Sequence, residues 1–311
     1  MSDEFRLVRR FDALPADKAR RHLRERQVAN YLTEHTEAAP HYKIDDDLET
    51  AINMALAVGA PLLVTGEPGT GKTQLAYFLA NYFDIKIRTF HVKSTSKARD
   101  LKYEFDAVGY LQAAYATREG ADQKNRDDFL TRGPLWAAYE DTEPSVLLID
   151  EIDKAPRDFP NDLLHELDQG WFGHPFQPEL RIPAAGHESQ VPIVVITSNV
   201  ERRLPGPFLR RCIFHQIELT EALVDHAVAA RAGEFPHLSS EVRQTAIERF
   251  WQIRELANNK PPSTAELLVW LAILNALGVE LSDLNNAPFN LPALGSLVKD
   301  KDDLERLRAA S

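Results

Sequence analysis

The stretch Leu62-Leu63-Val64-Thr65-Gly66-Glu67-Pro68-Gly69-Thr70-Gly71-Lys72-Thr73 decides the fold of this chain, because an apolar strand runs into a glycine-rich loop and then a helix. Gly66 to Thr73 fits the phosphate-binding pattern of one glycine, four residues and Gly-Lys-Thr. Such glycines let backbone N–H groups surround phosphate oxygens, and the helix N-terminus adds partial positive charge. Lys72 can reach the β- and γ-phosphates, and the Thr73 hydroxyl can ligate Mg²⁺. An ordinary glycine-rich turn is the alternative, but the flanking strand and helix favour a nucleotide site.

Composition describes an ordinary globular chain. A length of 311 residues suggests about two domains, and a hydrophobic content of 44% is ample for a core. The net charge of −11 argues against a general nucleic-acid binder, because a polyanion would be repelled. The single cysteine, Cys212, excludes an internal disulfide and a cysteine-based zinc site. Since no apolar run reaches the length of a signal peptide or a membrane span, we expect a cytoplasmic protein without a membrane partner.

Two charged runs precede the loop. The first lies on a predicted helix over residues 16–32, where basic residues are interleaved with acidic ones. This mixture favours a solvated helix face over a nucleic-acid-binding arm. The second run, Asp45-Asp46-Asp47, precedes apolar residues at helical spacing over 48–58. These carboxylates suit a helix N-terminus through capping and the helix dipole, and a metal site is the alternative.

A second motif is Val146-Leu147-Leu148-Ile149-Asp150-Glu151. Its continuous apolar run is typical of a buried parallel strand, and it ends in two carboxylates. Beside a phosphate-binding loop, Asp150 would hold the Mg²⁺ shell and Glu151 would polarise the water that attacks the γ-phosphate. The alternative is that the two carboxylates cap the helix that follows.

Further runs predict the remaining elements of this part of the chain. The segment 85–92 alternates as a half-buried strand does, and 193–197 is a buried strand that ends in Ser198-Asn199. A polar side chain at that strand end can reach the γ-phosphate. Helices are predicted at 73–83, 97–116, 127–140 and 161–170, with a loop at 118–126 and a β-hairpin or loop at 171–190.

In the last third of the chain, the sequence pattern changes from mixed strands and helices to helices alone. A proline-opened short helix over 204–211 ends in Arg210-Arg211 and leads to a strand at 212–217. Beyond it the apolar spacing is helical throughout, and Ser263 or Thr264 after two prolines marks a helix start. The expected helices are 221–232, 239–257, 264–277 and 302–309.

The order of these motifs resembles that of the AAA+ ATPases, and the resemblance extends from about residue 40 to the C-terminal helices. It implies an α/β P-loop three-layer sandwich whose five-stranded parallel sheet has the order 5-1-4-3-2, followed by an all-helical lid. The corresponding strands are 213–217, 61–65, 193–197, 146–150 and 86–91. We therefore expect an N-terminal helical segment (1–40), a nucleotide-binding domain (41–219) and a helical lid domain (220–311).

Within AAA+ proteins, the chain looks most like the MoxR group and its dynein-related relatives. The residues behind this finer resemblance are Gly66 to Thr73, the insertion 171–190 before the fourth strand, and the run Leu204-Pro205 to Arg211. The segment after His91 and the segment after Gly170 match the group's insertions in position.

The resemblance also assigns roles to residues. Asn199 is similar to the sensor-1 residue, and either Arg210 or Arg211 occupies the place of an arginine finger that reaches a neighbouring subunit. Capping of a helix C-terminus is the alternative for the arginine pair. The sensor-2 arginine has no counterpart, because Ala265 stands there, with Lys260 or Arg254 as substitutes. Metal binding falls to Thr73 and Asp150, and nucleotide binding to Gly66, Glu67, Pro68, Gly69, Thr70, Gly71, Lys72, Thr73, Gln74 and Asp150.

The implied function is an Mg²⁺-ATP-dependent ATPase that assembles into a ring, a hexamer by resemblance, and remodels or assembles a partner protein as a chaperone. The resemblance implies a protein client, with a von Willebrand factor A domain protein as one candidate. A low-turnover nucleotide switch is the alternative. A DNA-associated NTPase is disfavoured by the acidic charge, and no nucleic-acid partner is expected.

Overall fold

The computed structural model describes residues 17, 20–21, 35–116, 125–183, 191–199, 202–285 and 290–309. The chain divides into two compact units. The α/β unit comprises Thr36–Glu67 and Gly71–Glu218, and the C-terminal unit includes Pro68–Thr70 and Leu219–Ser311. The basic helix predicted over 16–32 lies outside the described residues, except for positions 17, 20 and 21.

The bounds of the elements follow the predicted pattern in most places. In chain order, the described helices and strands before residue 219 are α1 (His35–Ala38), α2 (Asp46–Val58), β1 (Leu62–Gly66), α3 (Lys72–Phe83), β2 (Lys86–His91), α4 (Ala98–Lys102), β3 (Tyr103–Phe105), α5 (Ala107–Ala116), β4 (Leu130–Arg132), α6 (Pro134–Glu140), β5 (Ser145–Asp150), α7 (Phe159–Asp162), α8 (Leu164–Gln169), β6 (Phe172–Gly173), β7 (Arg181–Ile182), β8 (Ile193–Ser198), α9 (Gly206–Leu209) and β9 (Ile213–Ile217).

A five-stranded parallel sheet forms the centre of the α/β unit, with the strand order β2-β5-β8-β1-β9. Read from β9, this is the predicted order 5-1-4-3-2, and the prediction is confirmed. The central strands β1 and β5 are buried along their whole length, which explains their continuous apolar sequences. Because all five strands run the same way, the carboxyl ends of β1, β5 and β8 meet at one edge of the sheet.

The predicted helices over 97–116 and 127–140 are wrong as continuous elements. Two short antiparallel strands interrupt them, and β3 pairs with β4 so that Tyr103 faces Arg132. Gly133 permits this arrangement, because its N–H donates to Lys102 O at 2.8 Å and a Cβ there would lie 2.4 Å from Leu101 O. In the second insertion, predicted as a β-hairpin or a loop, β6 pairs with β7, and residues 184–190 lie outside the described part.

The triple-aspartate run caps a helix. The Asp45 side chain accepts a hydrogen bond from Leu48 N at 2.7 Å, and Asp46 and Asp47 lie in the first turn of α2. Acidic side chains at this end stabilise the helix through the exposed N–H groups and the dipole. The described part of the chain contains no group of three His, Cys, Asp or Glu side chains arranged to hold a metal ion.

The C-terminal unit is helical, with α10 (Glu221–Ala230), α11 (Ser240–Leu256), α12 (Thr264–Leu277), α13 (Leu281–Leu284) and α14 (Lys301–Ala309). Phe235, Phe250 and Trp270 are fully buried at its centre. The predicted start of α12 is confirmed: Ser263 N donates to Glu266 Oε2 at 2.8 Å in a capping box. Among the described helices, none combines the length and the apolar content needed to cross a membrane.

A buried carboxylate fixes the loop before this helix. Asp303 is fully buried and accepts backbone N–H groups from Asn258 at 3.0 Å, Asn259 at 3.0 Å and Lys260 at 2.8 Å. Arg306 Nη1 donates to the same side chain at 3.0 Å. Burial opposes ionisation of the carboxyl, but these donors outweigh it and hold the pKa of Asp303 below its usual value of 3.8.

We expect Asp303→Asn to destabilise the C-terminal unit at neutral pH. Because the folded-state pKa is depressed, the stabilisation is complete above the usual pKa and disappears as pH falls through the folded value. Urea unfolding monitored by tryptophan fluorescence should therefore separate wild type from variant at pH 7, and the two should converge in strong acid. Asp302→Asn, on the exposed side of the same helix, is the control. A stability difference that does not change with pH would contradict this explanation.

Candidate nucleotide-binding and hydrolysis site

The glycine-rich loop connects β1 to α3, as the sequence predicts. Gly71 caps α3 with φ at 91°, a backbone conformation that only glycine adopts without strain. A Cβ at this position would also lie 2.9 Å from a ring carbon of Tyr42. Both restrictions explain why a glycine stands immediately before Lys72.

Lys72 lies at the first position of α3 and is buried. Its Nζ donates to Gly66 O at 2.9 Å and to Glu67 O at 2.7 Å, so the ammonium group is held against the loop. Burial lowers the pKa of Lys72, while nearby acidic groups, with Asp153 the strongest, oppose that shift. The arrangement places a positive charge directly beside the backbone that would surround a phosphate.

Asp150 connects three elements at the carboxyl edge of the sheet. Its Oδ1 accepts hydrogen bonds from Thr73 Oγ1 and from Thr197 Oγ1, each at 2.8 Å. Its Oδ2 lies 3.2 Å from Nδ1 of His91, the cross-strand neighbour of Asp150 on β2. The structure thus brings Thr73 and Asp150, the two predicted metal ligands, into direct contact.

Glu151 follows β5 in the left-handed conformation, with φ at 59°. Its N–H donates to Thr197 Oγ1 at 2.8 Å, and its Oε1 accepts from Asn199 Nδ2 at 3.3 Å. Its Oε2 pairs with Lys154. The side chain makes no capping hydrogen bond to the 3₁₀ turn Ile152–Lys154 that follows, so the capping alternative does not describe it. The predicted base and the predicted sensor-1 residue are therefore in contact.

The two arginines after α9 differ in their surroundings. The Arg211 side chain pairs with Asp168 and donates from Nη1 to Pro207 O at 3.0 Å, which is a helix-capping contact. The Arg210 side chain is exposed, and within the described ranges no hydrogen bond or ion pair is found for it. Among the described residues, neither arginine bonds to the carboxylate of Asp150 or Glu151, so no contact of this kind joins the pair to the site.

Comparison with known proteins identifies the family. Residues 62–220, more than half of the chain, match the family model described as the ATPase family associated with various cellular activities. The chain belongs to the AAA family. The predicted AAA+ membership is thereby confirmed, and the protein is an ATPase with an ATP-binding P-loop.

The chain is also similar to two solved structures, among others. One is a candidate ATPase from Cytophaga hutchinsonii, with 14% identity and a TM-score of 0.41, where 90% of this chain and 94% of that chain are covered. The other is the Holliday junction branch migration motor RuvB from Thermotoga maritima, with 17% identity, a TM-score of 0.34, and coverage of 76% and 71%.

In this AAA ATPase, three residues that contact the predicted site residues were not predicted from the sequence. Thr197 and His91 reach Asp150 from neighbouring strands, and Lys154 reaches Glu151 from the turn that follows β5. The only signal for Thr197 was a hydroxyl residue at the end of an otherwise apolar strand. Nothing in the sequence marked His91 or Lys154, because their contacts depend on sheet register and on the left-handed turn.

The remaining predicted residues have ordinary environments. Glu67, Pro68 and Gly69 are exposed, Thr70 is buried, and Gln74 is half-buried in the first turn of α3. The proposed substitutes for sensor 2 both lie in the C-terminal unit. There Arg254 donates to Pro262 O at 2.7 Å, and Lys260 N donates to Asp303. Their role in nucleotide binding stays a prediction.

Proposed function

We propose that this ATPase binds Mg²⁺-ATP at residues 66–74 and hydrolyses it in a ring of identical subunits, a hexamer, to remodel or assemble a partner protein. The observation that carries the proposal is the hydrogen-bonded row from Thr73 through Asp150 and Thr197 to Glu151. The row supports the proposal, because Thr73 and Asp150, proposed as metal ligands, are linked by hydrogen bonds to Glu151, proposed as the base.

The chemistry of the row fits Mg²⁺. A magnesium ion takes oxygen ligands and is held in such sites by one or two protein groups together with substrate phosphates. Thr73 Oγ1 and Asp150 Oδ1, 2.8 Å apart, supply oxygen atoms of the required kind. When bound, the ion would neutralise charge that develops on the phosphates during transfer.

Three protein residues have the remaining roles in hydrolysis. Lys72 supplies a fixed positive charge for the β- and γ-phosphates, while Glu151 orients and polarises the attacking water. Asn199 holds one oxygen of Glu151 and thereby orients the carboxylate. A general base of this kind contributes typically 10²–10⁴-fold to rate. The site therefore supports ATP hydrolysis by positioning and electrostatics.

The proposed ring is completed by an arginine from the neighbouring subunit. Arg210 is exposed and unpaired among the described residues, whereas Arg211 would have to leave Asp168. An exposed ion pair contributes only about 0–1 kcal/mol, so this contact does not prevent Arg211 from extending. Both arginines therefore stay candidates for the finger.

Mixing two inactive variants tests whether the arginine acts at the site of a neighbouring subunit. We expect an Arg210→Ala/Arg211→Ala double variant to lose about a thousandfold in turnover, and a Lys72→Met variant to be inactive as well. Mixed rings should regain activity, because a Lys72→Met subunit still offers its arginine to a neighbour with an intact loop. The two single arginine variants then identify the finger. If no mixing ratio restores hydrolysis, the arginines do not act in trans.

The client is proposed to contact two insertions, the antiparallel β3–β4 pair and the β6–β7 hairpin. Phe105 of β3 and Phe176 of the second insertion pack at 5.0 Å between ring centroids, and Trp136 packs on Phe172 at 5.6 Å. The first contact joins the two insertions, and the second packs β6 against α6. The client is proposed as a protein, such as one with a von Willebrand factor A domain, which is the partner class implied by the MoxR resemblance.

A low-turnover switch is the second candidate. It is favoured by the engagement of both Glu151 oxygens, one by Asn199 and one by Lys154. A remodelling ATPase should show hydrolysis that a partner stimulates, and a concentration-dependent shift to a ring on a sizing column. A switch should assemble with ATP yet turn over very little. Stimulation by DNA would contradict both candidates.

A further inference from the structure

Thr197 occupies a central place in the sheet and is not among the residues assigned to the reaction so far. It lies on β8, which has β5 on one side and β1 on the other, and only 1% of its surface is exposed. It is the cross-strand partner of Val64, near the end of the strand that leads into the P-loop. The position of its side chain is therefore fixed by the packing of the sheet around it.

The Thr197 hydroxyl donates one hydrogen bond and accepts another. Thr197 Oγ1 donates to Asp150 Oδ1 at 2.8 Å and accepts from Glu151 N at 2.8 Å. A threonine hydroxyl has a single donor hydrogen, so its donor capacity is used by Asp150. This one oxygen atom thus links the side chain of one acidic residue to the backbone of the next.

The hydrogen bond from Glu151 N to Thr197 lies where the backbone turns sharply after β5. Glu151 is one of only three described residues other than glycine with a positive φ. Such conformations persist when surrounding contacts over-determine them. Because the Thr197 hydroxyl binds the N–H of Glu151, it fixes the peptide that joins the two acidic residues and sets the direction in which Glu151 leaves the strand.

We propose that Thr197 is a positioning residue, which aims the carboxylates of Asp150 and Glu151 through this pair of hydrogen bonds. Thr73 donates to the same Oδ1 atom, but its hydroxyl is also the proposed metal ligand. If the Thr73 hydroxyl turned toward a bound metal ion, the Thr197 hydroxyl would still donate to Asp150 Oδ1. The proposal rests on the roles proposed above for Asp150 and Glu151.

The test compares Thr197→Val with Thr197→Ser. Valine keeps the shape and burial of the side chain but removes the hydroxyl, and serine keeps the hydroxyl. Loss of a group that orients a metal ligand typically costs 10–100-fold in metal affinity or activity. We expect Thr197→Val to lower kcat about 10–100-fold and to raise the Mg²⁺ concentration for half-maximal nucleotide binding about tenfold, while Thr197→Ser stays near wild type.

The binding measurement uses a fluorescent ATP analogue, titrated first in EDTA and then with added Mg²⁺. In EDTA, Thr197→Val should bind the analogue as wild type does, because the hydrogen bonds found for the hydroxyl among the described residues go to Asp150 and Glu151. Thr89→Val, a half-buried threonine on β2, controls for removal of a hydroxyl elsewhere in the sheet. If Thr197→Val does not fold, Thr197→Ala, which also lacks the hydroxyl, takes its place.

Several outcomes would overturn the proposal. Wild-type turnover and Mg²⁺ dependence in Thr197→Val would show that the hydroxyl does not orient the two carboxylates. Equal losses in the valine and serine variants, or a loss of binding in EDTA with a lowered melting temperature, would show a purely structural role. Asp150→Ala serves as the reference: if it retains turnover, the proposed function of the site fails, whereas an inactive Asp150→Ala beside a fully active Thr197→Val rejects Thr197 alone.

Discussion

Replacement of Lys72 by methionine is expected to abolish nucleotide binding and hydrolysis. Methionine keeps an unbranched side chain of similar length in a buried position, so the change removes mainly the charge. In the protein that charge is held by the carbonyl oxygens of Gly66 and Glu67, which fixes it beside the loop backbone. A phosphate group bound in the loop would lose the cationic partner that Lys72 supplies.

We expect the affinity for ATP to fall at least about a hundredfold, which corresponds to about 2.7 kcal/mol. Isothermal titration with ATP and Mg²⁺ measures the binding, and phosphate release measures the hydrolysis. Lys86→Met is the matched control, because Lys86 is exposed at the opposite end of the sheet, at the start of β2. An unchanged ATP affinity in Lys72→Met would reject residues 66–74 as the nucleotide site.

The second large effect is expected for Glu151→Gln, which should trap bound ATP. The backbone bond from Glu151 N to Thr197 does not involve the side chain, and a glutamine oxygen can still accept from Asn199. The geometry of the site should therefore persist, while the group that polarises water is neutral. Turnover is expected to fall about 10²–10⁴-fold, with ATP affinity close to that of wild type.

Lys154→Met provides the control for this variant. It breaks the same ion pair from the other side and leaves the carboxylate in place. Single-turnover measurements with radiolabelled ATP should show retained ATP in Glu151→Gln and continued hydrolysis in Lys154→Met. If Glu151→Gln hydrolyses ATP at the wild-type rate, Glu151 is not the base. If Lys154→Met is as inactive as Glu151→Gln, the ion pair rather than the carboxylate limits the reaction.

The sheet could be predicted from the sequence because its signals are local. Buried parallel strands such as β5 have continuous apolar sequences, and the strand order followed from the motif order of the AAA+ ATPases. The C-terminal helices were equally accessible, since Ser239 and Ser263 mark their starts with capping contacts. Local patterns and family order were sufficient for these elements.

The β3–β4 pair and the contacts within the site were harder to predict from the sequence. Tyr-Glu-Phe at 103–105 is too short to distinguish a strand from a helix turn, and its partner lies at 130–132. The bonds of Thr197 and His91 to Asp150 arise only when three strands lie in register. The pairing of Arg211 with Asp168 joins positions 43 residues apart. Such contacts are properties of the folded arrangement.

The packing of Tyr42 beside Gly71 has a consequence for the boundary of the nucleotide-binding part. The family match begins at Leu62, yet the ring of Tyr42 lies directly beside Gly71, the last glycine of the loop. Tyr42 also packs on Phe78 of α3, at 5.7 Å between ring centroids. We therefore expect that the shortest polypeptide with an intact phosphate-binding loop begins upstream of Tyr42, well before the first strand.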